Sequence, residues 1–115
     1  MKKRLSKIEI IRISGQREFH EVPHKGSDLL HWIYGRIGCD TIDTVNLRDG
    51  RVMCADDNGW ETETIRHTTH IEIKPVRPLK PINPEATKIY HSVCVPGTTH
   101  QIVGDVAIAW DEDFA

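Results

Sequence analysis

Long apolar runs are missing from this chain: no stretch approaches the ~20 apolar residues that a membrane-spanning helix needs. Charge of one sign is missing too, since 15 Lys and Arg stand against 17 Asp and Glu. That balance argues against a protein that coats nucleic acid by charge alone. There is no C-x-x-C pair, and three irregularly spaced cysteines (Cys39, Cys54, Cys94) do not make a disulfide framework. No G-x-S-x-G, P-loop or G-x-G-x-x-G occurs, so no nucleophile elbow or phosphate cradle is written in the residues. At 115 residues a catalytic barrel of ~250 is excluded and one domain is expected. The basic start Met1-Lys2-Lys3-Arg4 lacks the apolar stretch and cleavage site of a secretory leader, so a cytoplasmic chain is expected.

What is present is ordinary globular composition, 38% hydrophobic and 28% charged. Residues 7–14 are rich in β-branched side chains and predict a strand. Ile8 and Ile10 share one face and Ile11 and Ile13 the other, so the strand is buried on both faces or carries a bulge. A weaker strand is expected over 17–22. Ser27 has the chemistry of a helix N-cap, followed by Asp28 at the positive end of the dipole. Leu29, Leu30, Trp32, Ile33 and Ile37 then form one helical face, closed by Gly38. Asp49-Gly50 predicts a hairpin between strands 42–48 and 51–56, with both turn residues at positive φ. Asp57-Asn58-Gly59 predicts another turn into a strand over Trp60–Arg66, and His70–Lys74 reads as a further β-type run.

Pro75, Pro78 and Pro81 predict an extended, exposed loop over 75–82. Asn83-Pro84-Glu85 is a strong helix start. Ala86, Ile89, Tyr90, Val93 and Cys94 make its amphipathic stripe. Residues 101–110 predict the last strand, and 111–115 a solvated acidic tail. The expected fold is therefore α+β: a mostly antiparallel sheet of about five to six strands covered by two helices. It forms a single domain over 1–115, with residues 1–6 as a basic extension.

Seven histidines invite a metal reading. His67-x-x-His70 and His91-x-x-Cys94 are the only close pairs of metal-ligand type and could supply four zinc ligands. Against this, Cys94 completes an apolar stripe and a strand would split His67 from His70. The expectation is no cofactor, with zinc as the alternative. Asp56-Asp57-Asn58-Gly59 with Glu61 and Glu63 resembles a fragment of a calcium loop, but a tight turn explains the same residues. Asp105 is expected to be solvated. Trp32 and Trp110 fall in phase with core faces, whereas Trp60 follows a turn and is a contact candidate for a partner or a nucleobase.

Several pieces in order carry a family resemblance. They are Ser27-Asp28-Leu29-Leu30 with Trp32-Ile33 and Gly35, then Ile42 and Val45, and the turn Asp56-Asp57-Asn58-Gly59. Asn83-Pro84-Glu85-Ala86-Thr87 and Ile102-Val103-Gly104-Asp105-Val106 follow. Over residues 27–110 the chain resembles a small domain-of-unknown-function family of phages, plasmids and actinobacterial genomes, with Asn-x-x-Ala-Thr and Ile-x-Gly-Asp-Val as the most specific pieces. The resemblance implies an α+β single domain and a mobile-element setting, and no reaction. Residues 67–82 depart from the compact form of that family.

The expected function is a non-enzymatic phage or mobile-element accessory protein. It would bind a host protein or sequester a small nucleotide-like signal molecule. For the latter, Trp60, Arg66, Arg77, Asn83 and Thr87 are the ligand-binding candidates, with helix N-termini at Ser27 and Asn83 facing phosphate, Tyr90 stacking and Lys80 adding charge. The alternative is a small metal-dependent hydrolase using His67, His70, His91 and Cys94. Membrane and nucleic-acid partners are not expected, and a homodimer through sheet edges is open.

Overall fold

The computed structural model describes residues 4–115. The lysines of the basic extension, Lys2 and Lys3, lie outside the described residues, while Arg4 pairs with Glu112. Seven strands and two helices follow in the order β1 (Ser6–Ile11), β2 (Arg17–Val22), α1 (Gly26–Ile37), β3 (Ile42–Asn46), β4 (Arg51–Asp56), β5 (Trp60–Arg66), β6 (Ile71–Pro78), α2 (Pro84–Val93) and β7 (Val106–Trp110). Five strands form an antiparallel sheet in the order β2-β1-β7-β4-β3, and β5 and β6 form a separate antiparallel ribbon. The α+β architecture expected from the sequence is the one observed.

The phase conflict in β1 resolves as burial on both faces. Ile8 and Ile10 join Val52, Cys54, Ala107 and Ala109 beneath Leu29, Ile33 and Ile37 of α1. Ile11 joins Met53, Ala55, Val106 and Ile108 on the other face, with Ala86 of α2 and Ile102. The sheet is thus the middle layer, with one helix on each side. The ten residues of α2 span only about 15 Å, so part of its sheet face stays bare. There Phe19 stands 75% exposed beside Trp110, among Lys7, Glu9, Glu21, Asp49 and Arg51.

Several local expectations differ from the structure. The cap of α1 is Lys25 without a side-chain bond, and Ser27 lies inside the first turn. The reason is tertiary: residues 111–114 form a 3-10 turn packed on that end of α1, and Lys25 Nζ bonds Asp113 Oδ1 at 2.8 Å. The acidic tail is therefore partly interior, with Asp113 buried. At Asp49-Gly50 only Gly50 has positive φ, so the turn is the longer kind with one left-handed glycine. Residues 101–105 are not strand, because Gly104 turns at φ 76 and only Val103 bridges, to Ile82. Asp105 is half-buried and bonded to Arg12 Nη1 at 2.9 Å and to the Ile13 N–H at 2.9 Å. Ser6, at the opposite end of β1, is buried, its hydroxyl donating to the His24 carbonyl.

The largest departure is the segment expected as a proline-rich loop. β6 runs through Pro75 to Pro78, because a two-stranded ribbon has an outer edge on which proline needs no N–H partner. The ribbon projects as an arm: neither β5 nor β6 makes more than slight contact with any other element, and the molecule is 58 Å long but 30 and 26 Å across.

Candidate functional site

The arm starts from a tightly packed root. The turn is built by Asp56, whose Oδ1 accepts the Asn58 N–H at 2.9 Å and whose Oδ2 holds Lys80 Nζ at 2.6 Å. This use of Asp56 is structural and accounts for the calcium-like residues. Gly59 then passes so close to Val103 that a Cβ there would fall 2.6 Å from its Cγ2. Leu79 N–H donates to the Gly59 carbonyl at 2.8 Å, which ties the end of β6 back to the start of β5.

Alternation gives the ribbon two unlike faces. In the observed register Glu61 opposes Arg77, Glu63 opposes Lys74, and Ile65 opposes Glu72. That face is solvated, and Arg77 is ion-paired with Glu61. The other face carries Trp60 opposite Pro78, Thr62 opposite Pro75, Thr64 opposite Ile73 and Arg66 opposite Ile71. Ile71 and Ile73 are 59% and 69% exposed, and no layer covers them. The irregularity between Glu61 and Thr62 inserts Val76 without switching these faces.

At the root this apolar face runs into a groove of about 220 Å³. Its floor is Ala55, Ile102 and Val103, its walls Trp60 and His100 with Thr62, Ile73 and Pro75, and its rim Asp43, Asp56 and Asp57. The Trp60 indole is fixed: Nε1–H donates to the Gln101 carbonyl at 3.1 Å, and the ring lies 5.2 Å from that of His100. Asp43 and Asp57 have no ion-pair partner among the described residues, and neither has Arg66 at the far end of the same face. The groove can therefore hold an aliphatic or aromatic side chain next to a cation, the indole adding a cation–π contact.

The residues singled out from sequence do not gather around one ligand. Trp60 lines the groove. Arg66 sits at the tip of the arm on its apolar face, and Arg77 points from the opposite face. Asn83 and Thr87 are buried and their polar atoms are spent on the fold. Asn83 Nδ2 donates to the carbonyls of Ile11 and Gly104 at 3.0 and 2.9 Å, and its Oδ1 accepts the Ala86 N–H. Thr87 Oγ1 donates to the Asn83 carbonyl and accepts the Ile102 N–H. Ser27 caps nothing, and Lys80 is held by Asp56 and the Gly38 carbonyl. Tyr90 packs beside the α2-side core, its hydroxyl pKa raised chiefly by burial.

The four residues singled out for zinc are likewise dispersed. His67 and His70 stack at 4.4 Å on the turn of the arm, and His67 Nε2 contacts Glu72. His91 Nε2 bonds the His100 carbonyl at 2.7 Å on α2, which Cys94 ends. Among the described residues no group of three or more His, Cys, Asp or Glu side chains is placed to share an ion. Sequence reasoning missed Asp43, His100 and the bare face of β6. The signal for the last is the alternation Ile71-x-Ile73-x-Pro75: the β-type run over His70–Lys74 is legible in the sequence, but its continuation past Pro75 reads there as a loop. No helix among the described residues is long and apolar enough to cross a membrane. Comparison with known proteins returns no matching family model, no matching curated protein and no matching solved structure.

Proposed function

We propose that this protein is a non-enzymatic binding module that docks a polypeptide along the apolar face of its arm and into the acid-rimmed groove at the arm's root. The observation that carries the reading is the pairing of a charged ribbon face with a bare one. An isolated two-stranded ribbon is marginal in water, so a 19-residue excursion bearing exposed isoleucines has its use in contact. The rim selects the partner: unpaired Asp43 and Asp57 favour an Arg or Lys set beside aliphatic residues. A small nucleotide fits this groove poorly, because about 220 Å³ is small for such a ligand and the rim repels phosphate. From the family resemblance the reading takes its setting, an accessory protein of a phage or mobile element.

A peptide-display selection on the purified protein tests this. Captured sequences are expected to combine Arg or Lys with Ile, Leu or Val, and capture should collapse for Ile73→Glu and for Asp43→Lys/Asp57→Lys. Acidic captured peptides, or capture that survives both changes, would overturn the reading.

A further inference from the structure

The bare face of the arm carries its own complement. At the tip stands Arg66, opposite Ile71, and at the root stand Asp43 and Asp57 around the groove, with Ile73 between the two ends. From Arg66 to Trp60 along β5 is about 20 Å at the usual rise of a strand. Laid against a second arm running the opposite way, face to face, each tip falls over the other's root. Arg66 then enters the partner's acidic groove beside its indole, and Ile73 meets Ile73 near the two-fold axis.

We infer that the occupant of this surface is a second copy of the same chain, in an isologous clasp of two arms. The inference rests on the reading of the arm and groove as a polypeptide-docking surface and names its partner. Three features select a second copy over an unrelated protein. The charges at the two ends of the face are opposite and unpaired, so a two-fold axis satisfies both at once. Within the ribbon the remaining charges face away: Glu61 with Arg77 and Glu63 with Lys74 stay in water when the apolar faces meet. Finally, the outer edge of β6 is blunted by Pro75 and Pro78, so growth by edge pairing is blocked there and face-to-face closure ends at two copies.

The area sets the strength. A ribbon face of this length and two strands in width buries on the order of 400 Å² per copy, about half of what a standard stable interface buries on each side. A dimer in the micromolar range is therefore expected rather than a permanent one.

Charge exchange across the axis gives a test that unfolding cannot imitate. Sedimentation velocity over a micromolar concentration series should show the wild type passing from monomer to dimer. Arg66→Asp alone and Asp43→Lys/Asp57→Lys alone should each weaken dimerisation by about tenfold or more, because both contacts become repulsive. An equimolar mixture of the two variants should dimerise again, since every contact is once more between opposite charges. Circular dichroism of each variant confirms that the exposed changes leave the fold intact. A wild type that stays monomeric across the series, or variants that dimerise as the wild type does, would sink the clasp. Peptide capture persisting in a monomeric wild type would do so while leaving the docking reading intact, and loss of peptide capture with dimerisation intact would do the reverse.

Discussion

Replacing Asn83 tests the buried joint between α2, the end of β1 and the turn at Gly104. The side chain is 0% exposed and makes three hydrogen bonds: it caps α2 through the Ala86 N–H and donates to the carbonyls of Ile11 and Gly104. Asn83→Ala removes all three. Loss of the cap costs about 1 kcal/mol. Each lost donation to a buried carbonyl costs about 1 kcal/mol as a net hydrogen bond, and more if water cannot replace it. The sum is about 3–5 kcal/mol, a large share of the ~5–15 kcal/mol that holds a domain together. Asn83→Ser keeps an oxygen for the cap and loses the two donations, so it should cost less than Ala. Asn83→Asp keeps the cap but turns an oxygen toward two carbonyls, so it should cost at least as much as Ala. Urea unfolding followed by tryptophan fluorescence and circular dichroism gives the three values. A cost for Ala below about 1 kcal/mol, or Asp milder than Ser, would refute the joint; a ligand-binding role for Asn83 would leave stability nearly unchanged.

Two further predictions concern titrating groups. Glu18 is held to a pKa of about 2 by the two-pronged hydrogen bond from Arg12, helped by His20. Because the folded value is depressed, its stabilisation is full above the ordinary glutamate range and is lost as pH falls from there through about 2. The acid-unfolding curve of Glu18→Gln should therefore be shallower than that of the wild type in that window, the remainder coming from other held carboxylates such as Asp49, and parallel curves would refute the pairing. Burial pushes the Cys54 thiol up to about 12 and also raises Cys39, but Cys39 and Cys94 are only half-buried. A thiol reagent should label Cys39 and Cys94 in the native protein and Cys54 only on unfolding, and labelling of Cys54 as fast as Cys94 would overturn its burial.

Much of the main domain was legible because its signals are local. Asn83-Pro84 starts α2, Gly38 closes α1 at φ 70, and the double-faced isoleucines of β1 announce a central position between two cores. Ser27 misled because a cap is decided by what packs on the helix end, and here the segment at 111–114 displaced the start to Gly26. The arm misled because proline forbids a central strand but is harmless on a ribbon's free edge. The groove was half legible: Trp60 stood out after its turn, but Asp43 and His100 reach it only through the fold. Asn83 and Thr87 stood out for the right chemistry and the wrong purpose, since a good hydrogen-bonding side chain serves an interior joint as readily as a ligand.

The strand order of the main sheet has a consequence for how the chain is made. The β1–β2 and β3–β4 hairpins meet only through β7, which lies between them. Ile8 pairs with Ala109, partners about a hundred residues apart, which makes closure a late and slow event of high contact order. During synthesis the earlier hairpins wait unsupported until Val106–Trp110 emerges, and each is marginal alone. Loss of that short segment would leave two ribbons with no strand between them, held together only through their packing under α1, rather than a trimmed sheet. Beyond its root, where Trp60 is tied to the Gln101 carbonyl, the arm lies on the excursion between β4 and β7 and pairs with no strand of this sheet, so its outer length and sequence can change without disturbing how the sheet pairs.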